Sequence, residues 1–301
     1  MSEIRFDDRV IIVTGAGSGL GKSHALDFAR RGGKVVVNDL GGSVDGTGSG
    51  ASAADLVVKE IEAAGGTAVA NYDSVSTAEG GEAIVQTAVD NFGRVDVVVN
   101  NAGILRDRSI VKMSREEWEL VLDVHLKGAF CVSQPAFRVM KENNYGRFVF
   151  TASAAGVFGN FGQSNYGAAK MGLVGLSNVV SQEGLKNNIK SNVIAPIAMT
   201  RMTTGIMGDM GLNLDPGYVT SMVAYLSSEA CDLTHEIFSV GAGRYARVFV
   251  GLCEGYTNGA EGGVSVEEVR DNIEQIRNPD GYVIPGSAAE EMMAAMKSLK
   301  E

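Results

Sequence analysis

The stretch Val10-Ile-Ile-Val-Thr-Gly-Ala-Gly-Ser-Gly-Leu-Gly21 decides the fold of this 301-residue chain. Its β-branched run predicts a buried strand, its glycines predict a tight turn, and an amphipathic helical pattern then continues to Arg31. The N-terminus of such a helix offers free N–H groups and a positive dipole to a pyrophosphate. We therefore predict that a dinucleotide contacts the residues of this turn, namely Gly15, Ser18, Gly19 and Leu20. A flexible loop without a ligand is the alternative.

A carboxylate ends the next predicted strand, Lys34-Val-Val-Val-Asn-Asp39. At the end of the second strand of a dinucleotide-binding fold, a carboxylate accepts hydrogen bonds from both ribose hydroxyls, and its charge repels a 2′-phosphate. Asp39 therefore favours NAD over NADP, the alternative being a helix cap or a solvated side chain. Asp73 and Ser74 end the third predicted strand, at the edge where the adenine is expected.

Predicted strands and helices alternate along most of the chain. The further strands cover residues 67–73, 95–100, 147–153 and 190–195, and the helices cover 53–64, about 77–92, 115–140 and 166–184. Valine-rich runs with little polar alternation favour parallel strands that are covered by helices on both faces. We predict one α/β domain, a doubly wound parallel sheet, over residues 1–243, with an extension over 244–301. Between the second strand and its helix, Gly41–Gly50 is expected to be a flexible connector, since it exceeds the usual length of a βα loop.

Three polar side chains in one stretch suggest acid–base chemistry. Ser153 follows a predicted strand, and Tyr166 and Lys170 are spaced i, i+4 on one helix face. A phenol is a poor base at neutral pH unless a neighbouring cation lowers its pKa, and Lys170 is placed to do so. Ser153 can hold a substrate oxygen near the phenol. A tyrosine and a lysine at this spacing also occur by chance in many helices.

Charge and composition restrict the possible partners. The formal net charge of −10 argues against nucleic acid or an anionic membrane and favours a small-molecule substrate. The three cysteines are expected to be reduced and structural, and no metal site is predicted. The sequence shows no apolar run of membrane-spanning length, no signal-peptide pattern and no terminal Ser-Lys-Leu, so the cytoplasm is the expected compartment.

Four features in order resemble the short-chain dehydrogenase/reductase family: the glycine turn, Asn100-Asn-Ala-Gly103, Ser153, and Tyr166 with Lys170. The resemblance implies a Rossmann-type fold and assembly as a homodimer or homotetramer. Further stretches, such as Gly159-Asn-Phe-Gly-Gln-Ser-Asn-Tyr166, are similar to the (3R)-hydroxyacyl-CoA dehydrogenase domains of multifunctional enzymes of type 2. The hydratase and sterol-carrier modules of those enzymes are absent, so a free-standing dehydrogenase is expected.

The resemblance also implies a role for each motif residue. Tyr166 would be the catalytic acid/base, Ser153 would position the substrate oxygen, and Lys170 would bind the nicotinamide ribose. Three residues of the second motif, Asn100, Ala102 and Gly103, would line the cofactor site.

The chain departs from the family pattern at two points. His125 stands where the family has an asparagine, and it is either a proton-relay member or a structural histidine. After the sixth strand the family has Pro-Gly, whereas this chain has Pro196-Ile197; Ile197 and Thr200 are the candidates for contact with the nicotinamide.

The sequence gives fewer indications about the substrate site than about the cofactor site. The methionine-rich stretch 199–214 predicts either an adaptable lid or an ordinary amphipathic helix. Four basic residues near the expected cleft could meet coenzyme A phosphates or be solvated: Arg106, Arg108, Lys112 and Arg201. In the extension, Ser265–Glu268 predicts a capping box that opens a helix to about Ile276, and 287–300 predicts another helix. We expect the extension to pack on the domain or on a dimer partner.

These features predict an NAD-dependent oxidation of a secondary hydroxyl, with (3R)-3-hydroxyacyl-CoA as the first candidate substrate. A 17β-hydroxysteroid is the second candidate. A non-catalytic nucleotide-binding member of the fold is a more remote hypothesis, because such a protein would most simply have lost Tyr166 or Lys170.

Overall fold

The computed structural model describes residues 3–48, 50, 52–198, 213–258 and 262–298. The chain divides into two compact units, Met1–Arg247 and Val248–Glu301.

A single sheet organises the first unit. Its strands are β1 (Val10–Thr14), β2 (Lys34–Asn38), β3 (Thr67–Asn71), β4 (Val97–Asn100), β5 (Gly146–Thr151), β6 (Ile189–Ile197), β7 (Ile237–Gly241) and β8 (Arg244–Val248). They lie in the order β3-β2-β1-β4-β5-β6-β7-β8, and the pairs from β3 to β7 are parallel. Strand order reverses between β1 and β4, which creates the crevice where ligands bind in doubly wound folds.

The sheet is buried on both faces, as the valine-rich runs predict. All residues of β1, β4 and β5 are buried. Their apolar side chains meet helices above and below, so little alternation with polar residues is needed. The predicted fold class is therefore confirmed.

A tight hairpin adds the last strand. Ala242 and Gly243 connect β7 to β8 with positive φ angles of 49° and 76°, as in a type I′ turn, so the two strands run antiparallel. Residues 244–247 thus belong to the sheet of the first unit rather than to the extension.

The helices predicted between residues 19 and 184 are present, one of them is interrupted, and the helices over 154–157 and 216–227 are additional. They are α1 (Gly19–Arg30), α2 (Ser52–Ala63), α3 (Ala78–Phe92), α4 (Arg115–Leu122), α5 (Gly128–Asn143), α6 (Ala154–Val157), α7 (Ser164–Gly184) and α8 (Pro216–Ser227). The helix predicted over 115–140 is split by a π-helical turn at Asp123–Lys127, where the Gly128 amide donates to the Asp123 carbonyl. The only tryptophan of the chain, Trp118, lies in α4.

The second unit contains α9 (Val266–Asp271), α10 (Ile273–Arg277) and α11 (Ala288–Ser298). The Ser265 hydroxyl accepts from the Glu268 amide at 3.1 Å and so caps α9. The helix predicted to run to Ile276 is interrupted at Asn272. Residues Leu252 and Val283 form a β-bridge, and the rings of Phe249 and Tyr282 stack with centroids 5.3 Å apart. Within the described parts of the chain, no helix is long and apolar enough to cross a membrane.

Candidate active site

A cavity of about 500 Å³ lies at the carboxyl ends of the central strands. It brings together most of the predicted site residues: Gly15, Ser18, Gly19, Leu20, Asp39, Asp73, Ser74, Ala102, Gly103, His125, Ser153, Tyr166 and Lys170. They come from the segments that follow the first five strands, from the π-helical turn and from α7, which the sheet places at one edge. The cavity therefore joins the predicted cofactor turn to the predicted acid–base group.

The glycines of this turn occupy positions where a side chain would be strained or would not fit. Gly15 and Gly19 have φ angles of +63° and +54°, which disfavour other residues. A Cβ atom on Gly21 would lie 2.3 Å from the Gly15 carbonyl oxygen. The backbone thus stays close to the start of α1, as a bound pyrophosphate requires.

Asp39 is held in place by the backbone on both sides. Its Oδ2 accepts from the Gly17 amide and its Oδ1 accepts from the Gly41 amide, both at 2.7 Å. Each carboxylate oxygen has a second acceptor direction, so the group can still receive two ribose hydroxyls. The residues present therefore fit a ribose without a 2′-phosphate.

The second motif joins the ends of β1 and β4. The Thr14 hydroxyl accepts from the amides of Asn101 and Ala102 at 3.0 and 3.1 Å, and the Asn101 side chain donates to the Thr14 carbonyl at 3.0 Å. Asn100, in contrast, does not line the cavity: its side chain is buried and donates to the Ser133 hydroxyl at 2.9 Å. Asn101 lines it instead.

Lys170 is a buried amine directed at the backbone. Its Nζ donates to the Thr151 carbonyl at 2.5 Å and lies 5.4 Å from the centroid of the Tyr166 ring. The side chain is only 3 % exposed, and burial lowers the pKa of Lys170 to about 7.

Tyr166 keeps its proton in this geometry. Burial raises the pKa of Tyr166 to about 12, the hydrogen bond with Ser153 lowers it in part, and the Asp107 carboxylate raises it. Lys170 is not among the groups that lower this pKa. The expectation that Lys170 lowers the pKa of the phenol stays a prediction for the complex with bound cofactor.

His125 lies in the π-helical turn and is 2 % exposed. Its Nε2 lies 2.8 Å from the Ile104 carbonyl oxygen and 3.0 Å from the Ile104 nitrogen, and its ring stands edge-on to the Tyr166 ring with centroids 5.2 Å apart. A Cβ on Gly103 would come within 2.3 Å of this ring. Burial and the Lys170 charge keep the pKa of His125 well below its usual value, so the imidazole is neutral. Within the described residues, its Nδ1 has no hydrogen-bond partner.

Of the two candidates after the sixth strand, the structure describes only Ile197. Ile197 does not line the cavity, although its neighbours Pro196 and Ala198 do. Thr200 lies outside the described residues, as do Arg201 and most of the methionine-rich stretch.

The connector after β2 is a wall of the cavity that the sequence did not indicate. Its lining residues are Leu40, Gly42, Ser43, Val44, Gly46 and Gly48. The Asp45 side chain accepts from the Thr47 amide at 3.0 Å and also binds Ser43. An aspartate between Ser43 and Thr47 is a turn signal that could have predicted an ordered loop.

Two of the four basic residues near the cleft have protein partners. The Arg106 guanidinium donates through Nε to the Asp45 carbonyl at 2.6 Å. Arg108 forms an ion pair with Glu117 at 3.2 Å. Neither guanidinium is reserved for a phosphate in this structure.

The residues that precede Tyr166 are hydrogen-bonded to the segment after the second motif. The Gln163 side chain donates to the Asp107 carboxylate at 2.7 Å, and the Arg108 amide donates to the Gly162 carbonyl at 2.8 Å. Phe158 and Phe161, in the same stretch, are exposed. This edge offers apolar surface next to the acid–base group.

The sequence of this chain matches a family model and several known proteins. The family model for short chain dehydrogenases matches residues 9–210. Peroxisomal multifunctional enzyme A of Dictyostelium discoideum is 50 % identical over 298 residues, which is 98 % of this chain and 66 % of that protein.

Two solved structures share the fold. Full-length peroxisomal multifunctional enzyme type 2 from Drosophila melanogaster superimposes with a TM-score of 0.83 at 41 % identity, covering 99 % of this chain and 50 % of that one. A short chain dehydrogenase from Mycobacterium avium gives a TM-score of 0.80 at 40 % identity, covering 91 % of this chain and 98 % of that one. The chain thus spans 66 % of the first of these multifunctional enzymes and 50 % of the second. With a family model that matches most of its length, the chain belongs to the short-chain dehydrogenase family.

Proposed function

We propose that this protein oxidises the secondary hydroxyl of a (3R)-3-hydroxyacyl-CoA to the 3-oxoacyl-CoA, with NAD as the cofactor. The observation that carries the proposal is the convergence of Ser153, Tyr166 and Lys170 on one cavity that Asp39 also lines. The similarity to multifunctional enzymes of type 2, whose dehydrogenase domains the sequence motifs resemble, supports the substrate class.

NAD fits the residues that are present. The glycine turn and the N-terminus of α1 would hold the pyrophosphate, Asp39 the adenosine ribose, and Lys170 the nicotinamide ribose. When bound, NAD supplies the acceptor for the hydride that leaves the substrate carbon. The Asp39 charge supports NAD over NADP, because a 2′-phosphate at that place would meet a carboxylate.

The chain itself handles the substrate oxygen and its proton. Ser153 Oγ would hold the oxygen, and Tyr166 Oη would take the hydroxyl proton as the carbon becomes a carbonyl. Since burial holds the pKa of Tyr166 near 12, the phenol must give up its own proton before it can act as a base. We expect positive charge from bound NAD and from Lys170 to favour that loss in the ternary complex.

His125 fits the role of a positioning residue. Its neutral ring packs between Gly103 and Tyr166, and its Nε2 interacts with the Ile104 backbone. It therefore fixes the second motif against the acid–base group. The buried Nδ1 supports the further role in a proton relay, since that atom can bind a water molecule.

Two alternatives concern the substrate and the compartment. A 17β-hydroxysteroid would use the same acid–base group, and the exposed Phe158 and Phe161 suit an acyl chain or a sterol alike. The names of the multifunctional relatives place those proteins in the peroxisome, which counts against the cytoplasm for this chain.

The decisive test measures NADH formation with (3R)-3-hydroxyacyl-CoAs and with estradiol side by side. We expect a kcat/KM for the thioester at least tenfold above that for the steroid. A preference for NADP, for the 3S isomer or for estradiol would contradict the proposal. Binding of NADH without turnover of either substrate would favour the non-catalytic hypothesis.

A further inference from the structure

We propose that the strap, which consists of the described residues 40–48 and 50, closes over the bound cofactor, and that Arg106 is the positioning residue that holds it there. The inference rests on the proposed function, because it concerns the NAD site. It assigns Arg106 to cofactor retention and not to the phosphates of coenzyme A.

The strap is an ordered element despite its glycines. Its two ends meet where the Gly50 amide donates to the Leu40 carbonyl at 3.0 Å, and its tip closes where the Ser43 amide donates to the Thr47 carbonyl at 2.8 Å. A Cβ on Gly41, whose φ is +77°, would lie 1.8 Å from the Gly50 carbonyl oxygen. The loop can therefore adopt this shape only with glycine at its base.

Two contacts fasten the tip of the strap across the cavity. The Val44 carbonyl accepts from the Leu105 amide at 2.9 Å, and the Asp45 carbonyl accepts from Arg106 Nε at 2.6 Å. Gly46 lies against Ile104, since a Cβ there would be 3.1 Å from the Ile104 Cδ1. Arg106 supplies the one side-chain hydrogen bond among these contacts.

The base of the strap is joined to the carboxylate that selects the cofactor. The Gly41 amide donates to Asp39 Oδ1, so the first residues of the strap and the ribose-binding group move as one. From this base the strap runs to the segment after the second motif and lines the cavity between them. Releasing its tip would remove this wall from the cofactor cavity.

Electrostatics favour the closed position. Hydrogen bonds from Ser43 and Thr47 lower the pKa of the Asp45 carboxyl far below its usual range, and the Arg106 charge adds to this effect. The tip thus carries a permanent negative charge beside the guanidinium that binds its backbone. Arg108 offers a matched control, because it is also a cleft-edge arginine but pairs with Glu117 instead of the strap.

The experiment compares NADH affinity by fluorescence titration in the full chain, in Arg106→Ala and in Arg108→Ala. We expect Arg106→Ala to weaken NADH binding about three- to tenfold, in line with the loss of one charge-assisted hydrogen bond, and Arg108→Ala to change it less than twofold. Limited proteolysis gives a second readout: NADH should protect the strap in the unchanged protein and in Arg108→Ala, but less in Arg106→Ala.

A second variant opens the strap without touching Arg106. Gly46→Leu places a side chain against Ile104 at a φ of +83°, and it should weaken NADH binding in the same direction. Unchanged NADH affinity in Arg106→Ala, or weaker binding of coenzyme A alone, would overturn the inference. Failure of the unchanged protein to bind NADH would instead contradict the proposed function.

Discussion

Lys170 is a buried amine that donates to a neutral acceptor, the Thr151 carbonyl, in the ligand-free protein. Its pKa of about 7 lies below the 10.5 of an unperturbed lysine. Below pH 7 the folded state must hold the charge in a buried place, so its cost in stability is complete there. Between pH 7 and 10.5 only the unfolded state keeps the proton, so stability rises with pH through that window.

Replacing this amine should stabilise the protein while abolishing its chemistry. Lys170→Met keeps the length of the side chain and removes the charge, at the cost of stranding the Thr151 carbonyl. We expect the free energy of unfolding at pH 6 to rise by on the order of 2 kcal/mol. The gain should shrink as the pH approaches 10, which thermal melts across that range would show. An equal or lower melting temperature at pH 6 would mean that the ammonium is well solvated or paired in the folded state.

Tyr166 should be essential for turnover and dispensable for cofactor binding. Tyr166→Phe removes the group that exchanges the proton, so kcat should fall by at least about 10³-fold, while the NADH dissociation constant changes less than about threefold. Steady-state assays and fluorescence titration measure the two quantities separately. Tyr225→Phe, a change on α8 outside the cavity lining, serves as the control and should keep full activity.

The residues that sequence patterns placed correctly act mainly through the backbone or at strand ends. Glycines at φ angles that other residues avoid, and a carboxylate at the end of β2, have positions fixed by the local sequence alone. Asn100 and Ile197, which do not line the cavity although their neighbours do, show the limit. Successive side chains of a strand point to opposite faces, so a shift of one residue moves a predicted contact to the other face of the sheet.

Elements whose shape depends on tertiary contacts were not predictable. The π-helical turn inserts one residue between α4 and α5, and the hydrophobic pattern of 115–140 does not reveal it because both helices remain amphipathic. Its consequence is functional: the turn brings His125 to the Ile104 backbone. π-Helical turns are frequent at functional sites for this reason. The strap was missed because glycine-rich composition predicts freedom, whereas its order comes from Val44, Asp45 and Arg106.

The contact between α6 and α7 sets the distance from Ser153 to Tyr166. A Cβ on Gly156 would lie 2.8 Å from the Lys170 Cβ and 2.9 Å from the Met171 nitrogen. Gly156→Ala should push α6 away from α7 and reduce kcat by on the order of tenfold to a hundredfold. NADH binding should remain nearly unchanged, because the cofactor turn lies elsewhere.

Gly175→Ala is the matched control on α7, where an added Cβ meets no atom within 4 Å. This change should leave kcat intact and raise the free energy of unfolding by about 0.5–1 kcal/mol, as alanine is the better helix former. If Gly156→Ala kept the unchanged kcat, the packing of α6 on α7 would not control the geometry of the site.

At the scale of the whole molecule, the extension has an unusual surface. None of its described residues is buried, and Met292, Met293 and Met296 of α11 are all exposed. So much exposed apolar surface is typical of a segment that meets another chain. We therefore propose that the protein is a homodimer or homotetramer and that the extension contributes to its assembly.

Removing the extension should affect assembly or substrate binding but not the cofactor. The described residues that line the cavity all belong to the first unit. Deleting residues 265–301 should therefore preserve the NADH dissociation constant, while the particle mass measured by light scattering falls or the KM for the acyl-CoA rises. A truncated protein with the original mass and KM would contradict the proposed role of the extension.

The single tryptophan gives this protein a built-in optical reporter. Trp118 lies in α4, two residues before Leu120, whose side chain lines the cavity. Reduced nicotinamide absorbs light in the range where tryptophan emits, so a bound NADH should accept energy from this one ring. Quenching of Trp118 then reports occupancy without labels or substrate, and its rate after rapid mixing would time the opening of the strap directly.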